Sequence, residues 1–383
     1  MKKVCVITGT RAEYGLLKNL VKQFESSKMI DLQLVVTGMH LSPEFGMTLW
    51  EIEQDGFFPD RKIEILLSSD SPSSITKSIG VGMLGFADAF KELEPDLIIL
   101  LGDRFEIFAA AAAAMIARIP VGHIHGGEAT EGLIDEAIRH SITKMSLLHF
   151  VATPEYRKRV EQLGECPQRV YLVGGLGVDA LMNTEMKNKT QLERELSLTF
   201  GPKNLLVAFH PVTLEENTSA LQMQELLDAL EKLKDTSLIF TMPNADTEGR
   251  AIKAKIDSFC ENKPHAYQFD SLGQTNFYSC LAQVDGLIGN SSSGVLEAPS
   301  FQIGTVNIGD RQKGRVFAES IIQCNPNKTD IIIAIERLYS SNFQKMIKNV
   351  KNPYGKGGAS SKILKIIENI NLDGVLKKQF YEI

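Results

Sequence analysis

The sequence predicts an α/β protein made of two successive doubly wound units, each a parallel sheet covered by helices on both faces. Three observations lead there. Short aliphatic and β-branched runs alternate with helical stretches along the whole chain. The runs lack the polar alternation of half-solvated strands, as expected where both faces are covered. The alternation breaks at Gly174-Gly175 and restarts, and a chain of 383 residues is longer than one core normally organises. Such sheets bind ligands outside the carboxyl ends of their strands. The expectation is therefore two Rossmann-like domains whose parallel sheets face across a cleft.

Taken in order, residues 4–8 form a strand and 14–26 a helix. Strands at 32–37 and 97–101 follow, then helix 105–117, strand 121–124, helix 136–147 and strand 150–153. After the paired glycines come strand 205–209, helix 215–233, strand 237–241 and helix 252–259. Strand 286–288, helix 292–298, strand 305–307 and a last helix at 361–370 complete the pattern. Residues 352–360 read as a connecting loop. The expected domains are 1–174 and 175–360, with 361–383 packing back on the first.

Composition narrows the function classes. Hydrophobic content of 43% and charged content of 23% are those of a soluble globular protein. A net charge of −6 with no basic block argues against a nucleic-acid surface. Five scattered cysteines without a C-x-x-C pair fit reduced thiols in a cytoplasm. The N-terminal apolar run is interrupted by Thr8, Gly9 and Arg11, so it reads as a core strand and not a signal peptide. The longest apolar run, 107–117, is short for a membrane span.

The most informative motif lies at 283–298. A short strand enters a hydroxyl-rich turn, Gly289-Asn290-Ser291-Ser292-Ser293-Gly294, and a helix follows with Glu297 near its start. Backbone N–H groups at a helix N-terminus and serine hydroxyls suit phosphate oxygens, and the helix dipole favours negative charge. Gly289 and Gly294 permit close backbone approach. Glu297 would repel phosphate, so neutral donors such as ribose hydroxyls are its natural partners. The alternative is an ordinary strand–turn–helix capped by Ser292 or Ser293.

Other candidates collect at strand ends. Arg11, in Thr8-Gly9-Thr10-Arg11-Ala12-Glu13, directly follows the first strand, where a guanidinium can make charge-assisted bonds to phosphate. Asp103 and Arg104 follow strand 97–101; Asp103 either transfers protons or caps the next helix. Imidazoles and carboxylates crowd His123-Ile124-His125-Gly126-Gly127-Glu128 and Asp135-Glu136-Ala137-Ile138-Arg139-His140. Burial and like charge there can move pKa values toward neutrality, which suits acid–base work. Asp135 either joins that chemistry or caps its helix, and Arg139 lies four residues on, within pairing reach. His123, His125 and Glu128 suggest a metal only superficially: no H-E-x-x-H spacing supports one, and none is expected. In the second half, His210 and Asn244 each follow a predicted strand, and residues 309–315 add a basic loop containing Arg311.

Jointly, the segments 8–15, 102–104, 123–128, 135–140, 210–211, 289–297 and 309–315 resemble the hydrolysing UDP-N-acetylglucosamine 2-epimerases. The resemblance runs in order over essentially the whole chain. It is strongest to the bacterial branch that feeds sialic and legionaminic acid synthesis. It implies a GT-B fold, with UDP held mainly by the second domain and the sugar between the two. It also implies loss of UDP from C1 with the C2 proton, giving a 2-acetamidoglucal, and then hydration to a free 2-epimerised sugar.

Residue by residue, the resemblance makes Asp103 and Asp135 candidates for proton transfer and places His210 near the glycosidic oxygen or diphosphate. Arg11, Arg104, Ser291, Ser292 and Arg311 would bind phosphates or sugar, Glu297 the ribose, and Phe277 the uracil, with Asn244 in the UDP-binding set. Glu136, Arg139 and His140 would support the Asp135 helix or touch the sugar. His125 stands where many relatives carry a catalytic glutamate, so that task falls to His125, Glu128 or Glu131. Thr130-Glu131-Gly132-Leu133 is where substrate choice would reside, between UDP-N-acetylglucosamine and a UDP-2,4-diacetamido-trideoxy sugar. No cofactor, nucleic acid or membrane partner is implied; a UDP-sugar and a homo-oligomer (dimer or tetramer) are. An acceptor-requiring GT-B glycosyltransferase and a non-catalytic nucleotide-sugar-binding protein are the rival readings.

Overall fold

The computed structural model describes the chain except Ser68, Asp70, 132–133, 213–217, 243–248 and Asn262. Asn244 therefore lies outside the described residues. Two compact units form. The first comprises Met1–Glu128, Ile134–Ala180 and Gly357–Ile383; the second comprises Ala129–Leu133 and Leu181–Lys356.

The first unit holds strands β1 (Lys2–Thr8), β2 (Ile30–Thr37), β3 (Arg61–Ile63), β4 (Leu97–Leu101), β5 (Val121–Ile124), β6 (Leu148–Val151) and β7 (Val170–Leu172). Their order is β3-β2-β1-β4-β5-β6-β7 and every pairing is parallel. One face of the sheet packs Val4, Val6 and Ile99 against Leu17, Leu20 and Phe24 of the helix Arg11–Glu25. Ile363 and Ile367 of the helix Ala359–Asn369 join that core. The other face packs Cys5, Ile7, Ile98 and Leu100 against Phe86 and Ile107. Strands clothed on both sides have no use for polar alternation, which is why these runs read as continuous apolar stretches.

The second unit repeats the plan with β8 (Lys203–Ala208), β9 (Thr236–Thr241), β10 (Ala266–Phe269), β11 (Gly286–Gly289), β12 (Gly304–Ile308) and β13 (Ile321–Cys324). The order is β10-β9-β8-β11-β12-β13, again parallel. In each sheet the chain winds one way and then the other. The direction reverses between β1 and β4 in the first unit and between β8 and β11 in the second, and ligands of doubly wound sheets bind at that switch point.

Several elements depart from the sequence expectation. The helix Pro72–Leu93 and the short edge strands β3 and β7 were not anticipated, because three-residue strands and a serine-rich helix start give little periodic signal. The helix expected over 292–298 stops early, as Ser293–Leu296, followed by a 3-10 turn at Ala298–Phe301. Pro299 is the cause: it lacks the N–H that a continuing helix would use and disfavours helical geometry before it. All five cysteines are free. Among the described residues no helix is long and apolar enough to cross a membrane.

Candidate functional site

The switch point of the first sheet gathers most of the charged residues singled out above. β1 ends at Thr8, and two residues on the Thr10 hydroxyl caps the next helix by accepting from the Glu13 amide at 3.2 Å. Arg11 opens that helix as a part-exposed side chain with Nε 3.4 Å from Glu51. β4 ends at Leu101, and Gly102 after it has φ +80° and turns the chain so that Asp103 and Arg104 leave the sheet. The helix Phe105–Ala117 is capped at Arg104 and without a side-chain bond, so Asp103 is not a helix cap.

Asp103 instead accepts from Nη2 of Arg139 in a tight ion pair. Arg139 is 3% exposed, and its Nε and Nη1 have no hydrogen-bond partner among the described residues. The pairing expected between Arg139 and Asp135 is thereby corrected. Asp135 occupies the first turn of the helix Asp135–Met145, while Arg139 lies on the buried face of that helix, where β4 delivers a different carboxylate. Asp135 is not the cap either, since Ile134 holds that place. Burial raises the Asp135 carboxyl above the ordinary range and the Asp103 charge adds to the effect, against Arg104 and Arg139. A turn further on, Glu136 Oε1 lies 3.0 Å from His140 Nε2.

Beside them, His123 donates from Nε2 to the Gly102 carbonyl at 2.7 Å and accepts at Nδ1 from the Thr143 hydroxyl at 3.1 Å. Burial lowers its imidazole to about 3, so it is a neutral brace for the β4 turn. His125 sits at φ +66° and accepts at Nε2 from the Leu176 amide at 3.2 Å, which leaves Nδ1 as its N–H, 3.3 Å from Glu128 Oε1. Both ring nitrogens of His125 thus serve a buried link between the end of β5 and residue 176. Among the described residues no group of three His, Cys, Asp or Glu side chains could hold a metal.

The second unit builds its own strand-end cluster. β11 ends at Gly289, with φ +136°; a Cβ there would stand 2.0 Å from the Ala208 carbonyl oxygen, so only glycine fits. The close neighbour is the adjacent strand. Asn290 follows, and its side chain accepts from the His210 amide at 2.7 Å and donates to the His210 carbonyl at 2.8 Å. Its own carbonyl takes bonds from Gln312 Nε2 at 2.8 Å and Arg311 Nη1 at 3.2 Å. One asparagine therefore ties together the end of β8, the β11 turn and the loop after β12. Burial, with Arg311 adding, lowers His210 to about 3, and its Nδ1 has no partner among the described residues. Ser291 is buried and accepts from the Ser293 amide at 3.4 Å, while Ser292 makes no side-chain capping bond. Glu297 is 5% exposed at the end of the short helix, and burial, with the Glu297 charge adding, raises the Tyr278 phenol. Phe277 packs edge-on against Tyr278 with centroids 6.2 Å apart.

With this geometry in hand, the comparisons are direct. Residues 22–368 match the UDP-N-acetylglucosamine 2-epimerase family. The chain belongs to that family. A Campylobacter jejuni relative named GDP/UDP-N,N'-diacetylbacillosamine 2-epimerase (hydrolyzing) is 42% identical, covering 100% of this chain and 99% of its own. An Escherichia coli polysialic acid biosynthesis protein is 40% identical over 100% of this chain and 98% of its own. The solved UDP-GlcNAc 2-epimerase of Neisseria meningitidis, bound to UDP-GlcNAc, aligns with a TM-score of 0.82 at 19% identity, covering 96% and 99% of the two chains. That likeness shows the GT-B-like fold.

Within this family member, the sequence reading missed several residues that build the strand-end clusters. Asn290 was seen only as part of a polar turn, although it pins three segments. Gln312 is 2% exposed beneath the basic loop. Glu13 and Glu106 lie buried beside Arg104. Glu13 had a readable signal: it stands three residues after Thr10, the spacing at which a helix cap and an acidic partner cooperate. Glu106, in an otherwise apolar helix, had none but its isolation.

Proposed function

We propose that this chain is a hydrolysing UDP-sugar 2-epimerase that releases UDP and a free, 2-epimerised 2-acetamido sugar. One observation carries the reading: the ion-paired carboxylate of Asp103 and the carboxyl of Asp135, raised by burial, lie together with Arg104 and Arg139 at the end of β4. Removing a weakly acidic C2 proton needs a base held in contact, and cleaving C1–O needs a stabilised diphosphate. In this proposal Asp103 takes the C2 proton and the C1–O electron pair leaves with UDP, forming C1=C2. Water then adds at C1 as Asp135 returns a proton to C2 on the opposite face. His125 and Glu128 hold the β5 end rather than touch the sugar, since the His125 ring is committed to the Leu176 amide. Arg104, Glu136, Arg139 and His140 bind or frame the sugar. Arg11, Ser291, Ser292, Arg311 and neutral His210 meet the diphosphate, Glu297 the ribose and Phe277 the base. Free cysteines fit a reducing cytoplasm, and a homo-oligomer accompanies the reading.

UDP-N-acetylglucosamine, giving N-acetylmannosamine for sialic-type acid synthesis, is the substrate proposed first, and the name of the polysialic acid relative supports it. The name of the Campylobacter relative favours UDP-2,4-diacetamido-2,4,6-trideoxyglucose on a route to legionaminic acid, with the same chemistry. Incubating the purified chain with each UDP-sugar in deuterated water, without an acceptor, separates the possibilities by NMR. Free 2-epimerised sugar with deuterium at C2, plus UDP, is expected from one of them. UDP release only when an acceptor is added would make the chain a transferase, and binding without turnover of either sugar would also end the proposal.

A further inference from the structure

Two buried carboxyl groups take no part in the chemistry above. Glu106, the second residue of the helix Phe105–Ala117, is 0% exposed and holds Arg104 with both oxygens: Nε to Oε2 at 3.2 Å and Nη2 to Oε1 at 3.1 Å. Glu13 is 7% exposed; its Oε2 accepts from the Gly9 amide at 2.8 Å, and its Oε1 is buried with no hydrogen-bond partner among the described residues. The two side chains meet around the β1 turn. A Cβ on Gly9 would lie 3.3 Å from Glu106 Cβ and 3.4 Å from Glu13 Oε2. A Cβ on Gly38, at the end of β2, would lie 2.9 Å from the Gly9 carbonyl oxygen and 3.1 Å from Glu106 Oε1. The cluster is therefore packed to contact at the switch point of the first sheet, and the partly exposed Arg104 side chain reaches its edge.

We infer that Glu106 and Glu13 are a positioning pair for Arg104: Glu106 grips and aims the guanidinium with both oxygens, and Glu13, tied to the Gly9 amide, stays out of that ion pair unless it ionises. The charge count explains the division of labour. One buried cation satisfies one buried carboxylate, and a second uncompensated carboxylate in the same space is costly. Burial, with Glu106 next to it and Asp103 adding, pushes Glu13 up to about 8, against the Arg104 charge and the Gly9 amide. The other titratable groups nearby do not offset this. His40, at the end of β2, bonds to Thr8 and Thr48 and is lowered to about 4 by burial, so it is neutral, and Asp135 faces Arg104 with an already raised carboxyl. When Glu13 ionises, Arg104 gains a second inward partner and its hold on the ligand weakens. For its kinetic consequence this inference rests on the 2-epimerase reading; for the proton on Glu13 it does not.

Two measurements test it on the full chain. In the first, kcat/KM is followed from pH 6 to 9.5 for the native chain, Glu13→Gln and Glu106→Gln. A group with a pKa of about 8 is half ionised at pH 8 and mostly ionised at pH 9, so activity of the native chain falls roughly fivefold more over that interval than that of Glu13→Gln. Glu106→Gln raises KM about tenfold or more while the alkaline limb moves, because Arg104 loses its anchor. In the second, melting temperature is followed against pH without substrate. A carboxyl whose folded pKa is raised stabilises below its unfolded value and loses that contribution as pH climbs through the folded value. The native chain therefore loses stability relative to Glu13→Gln from about pH 4.5 to about 8, and the difference then levels. Superimposable melting differences at every pH would remove the proton from Glu13. A shared pH–rate profile for the native chain and Glu13→Gln, or an unchanged KM in Glu106→Gln, would remove the positioning role. Absence of turnover in the native chain would strike the 2-epimerase reading and leave the melting test standing.

Discussion

Asp103 illustrates how one residue can be legible in kind and illegible in partner. Its place just beyond a buried strand makes it a candidate for proton transfer, and a cap was the ordinary alternative. The tertiary fold removes that alternative by giving the cap position to Arg104 and the carboxylate to Arg139, 36 residues away. Arg139 in turn has two buried nitrogens without a hydrogen-bond partner among the described residues, which leaves it able to take an oxygen of a ligand. For Asp103→Asn we expect turnover to fall at least ~100-fold, the usual scale for loss of a proton-transfer group, with UDP affinity nearly unchanged by calorimetry. Near-normal turnover would make Asp103 a structural counter-charge for Arg139 and nothing more. His125 teaches the complementary lesson. Its neighbours suggested acid–base chemistry, and a left-handed backbone and a bond from the Leu176 amide give the ring a local task besides, which no sequence pattern announces.

At the scale of elements, the turn after β11 was the clearest signal in the chain, and its glycine is the part most tightly dictated. Gly289 pairs with Ala208 in register, and at φ +136° a side chain would collide with the backbone of β8. Gly289→Ala must therefore push β8 and β11 apart where Asn290 pins His210. We expect it to destabilise the chain by about 2 kcal/mol or more, from combined overpacking and backbone strain, and to weaken UDP binding by at least about tenfold. Denaturant melts and calorimetry check the two effects. A variant with native stability and native affinity would show that the turn has room to spare. The strands themselves were readable because aliphatic runs between helical patterns have few other uses in a soluble chain. The helix ends were less so. Pro299 cut one helix short, and β3 and β7 are too brief to carry a period.

At the scale of the whole molecule, the chain leaves its first unit and returns to it, since Gly357–Ile383 packs with the N-terminal residues. Two helices of that unit leave apolar side chains in solvent: Val81 at 40% and Leu84 at 72% on one, Met115 at 48% and Ile116 at 74% on the other. The helix Phe105–Ala117 has a single polar residue, Glu106, and that residue is buried, so its outer face is apolar throughout. Helices without a polar face are normally covered. A second copy is the occupant we propose. Antiparallel pairing of Pro72–Leu93 about the midpoint of Val81 and Leu84 sets exposed Lys77 opposite Asp88 of the partner, a self-complementary arrangement under a two-fold axis. Sedimentation should give about twice the 42.4 kDa chain mass, and Leu84→Glu with Ile116→Glu should return it to the monomer. A native chain that sediments as a monomer at tens of micromolar would dismiss the partner.

By itself the sequence determined the class of the fold, the repeated doubly wound plan, the strand ends at which chemistry-bearing side chains emerge, and the family resemblance. These follow from local patterns: strand and helix periods, glycine where the backbone must pass closely, and charge placed next to buried runs. Only the tertiary structure decided which charges meet. It gave Arg139 to Asp103, Arg104 to Glu106, and His210 to Asn290, and it buried Glu13 until its proton became hard to remove. The physical reason is that pairing and pKa depend on distances between segments far apart in sequence and on the water excluded around them, and neither quantity is written in any local run of residues.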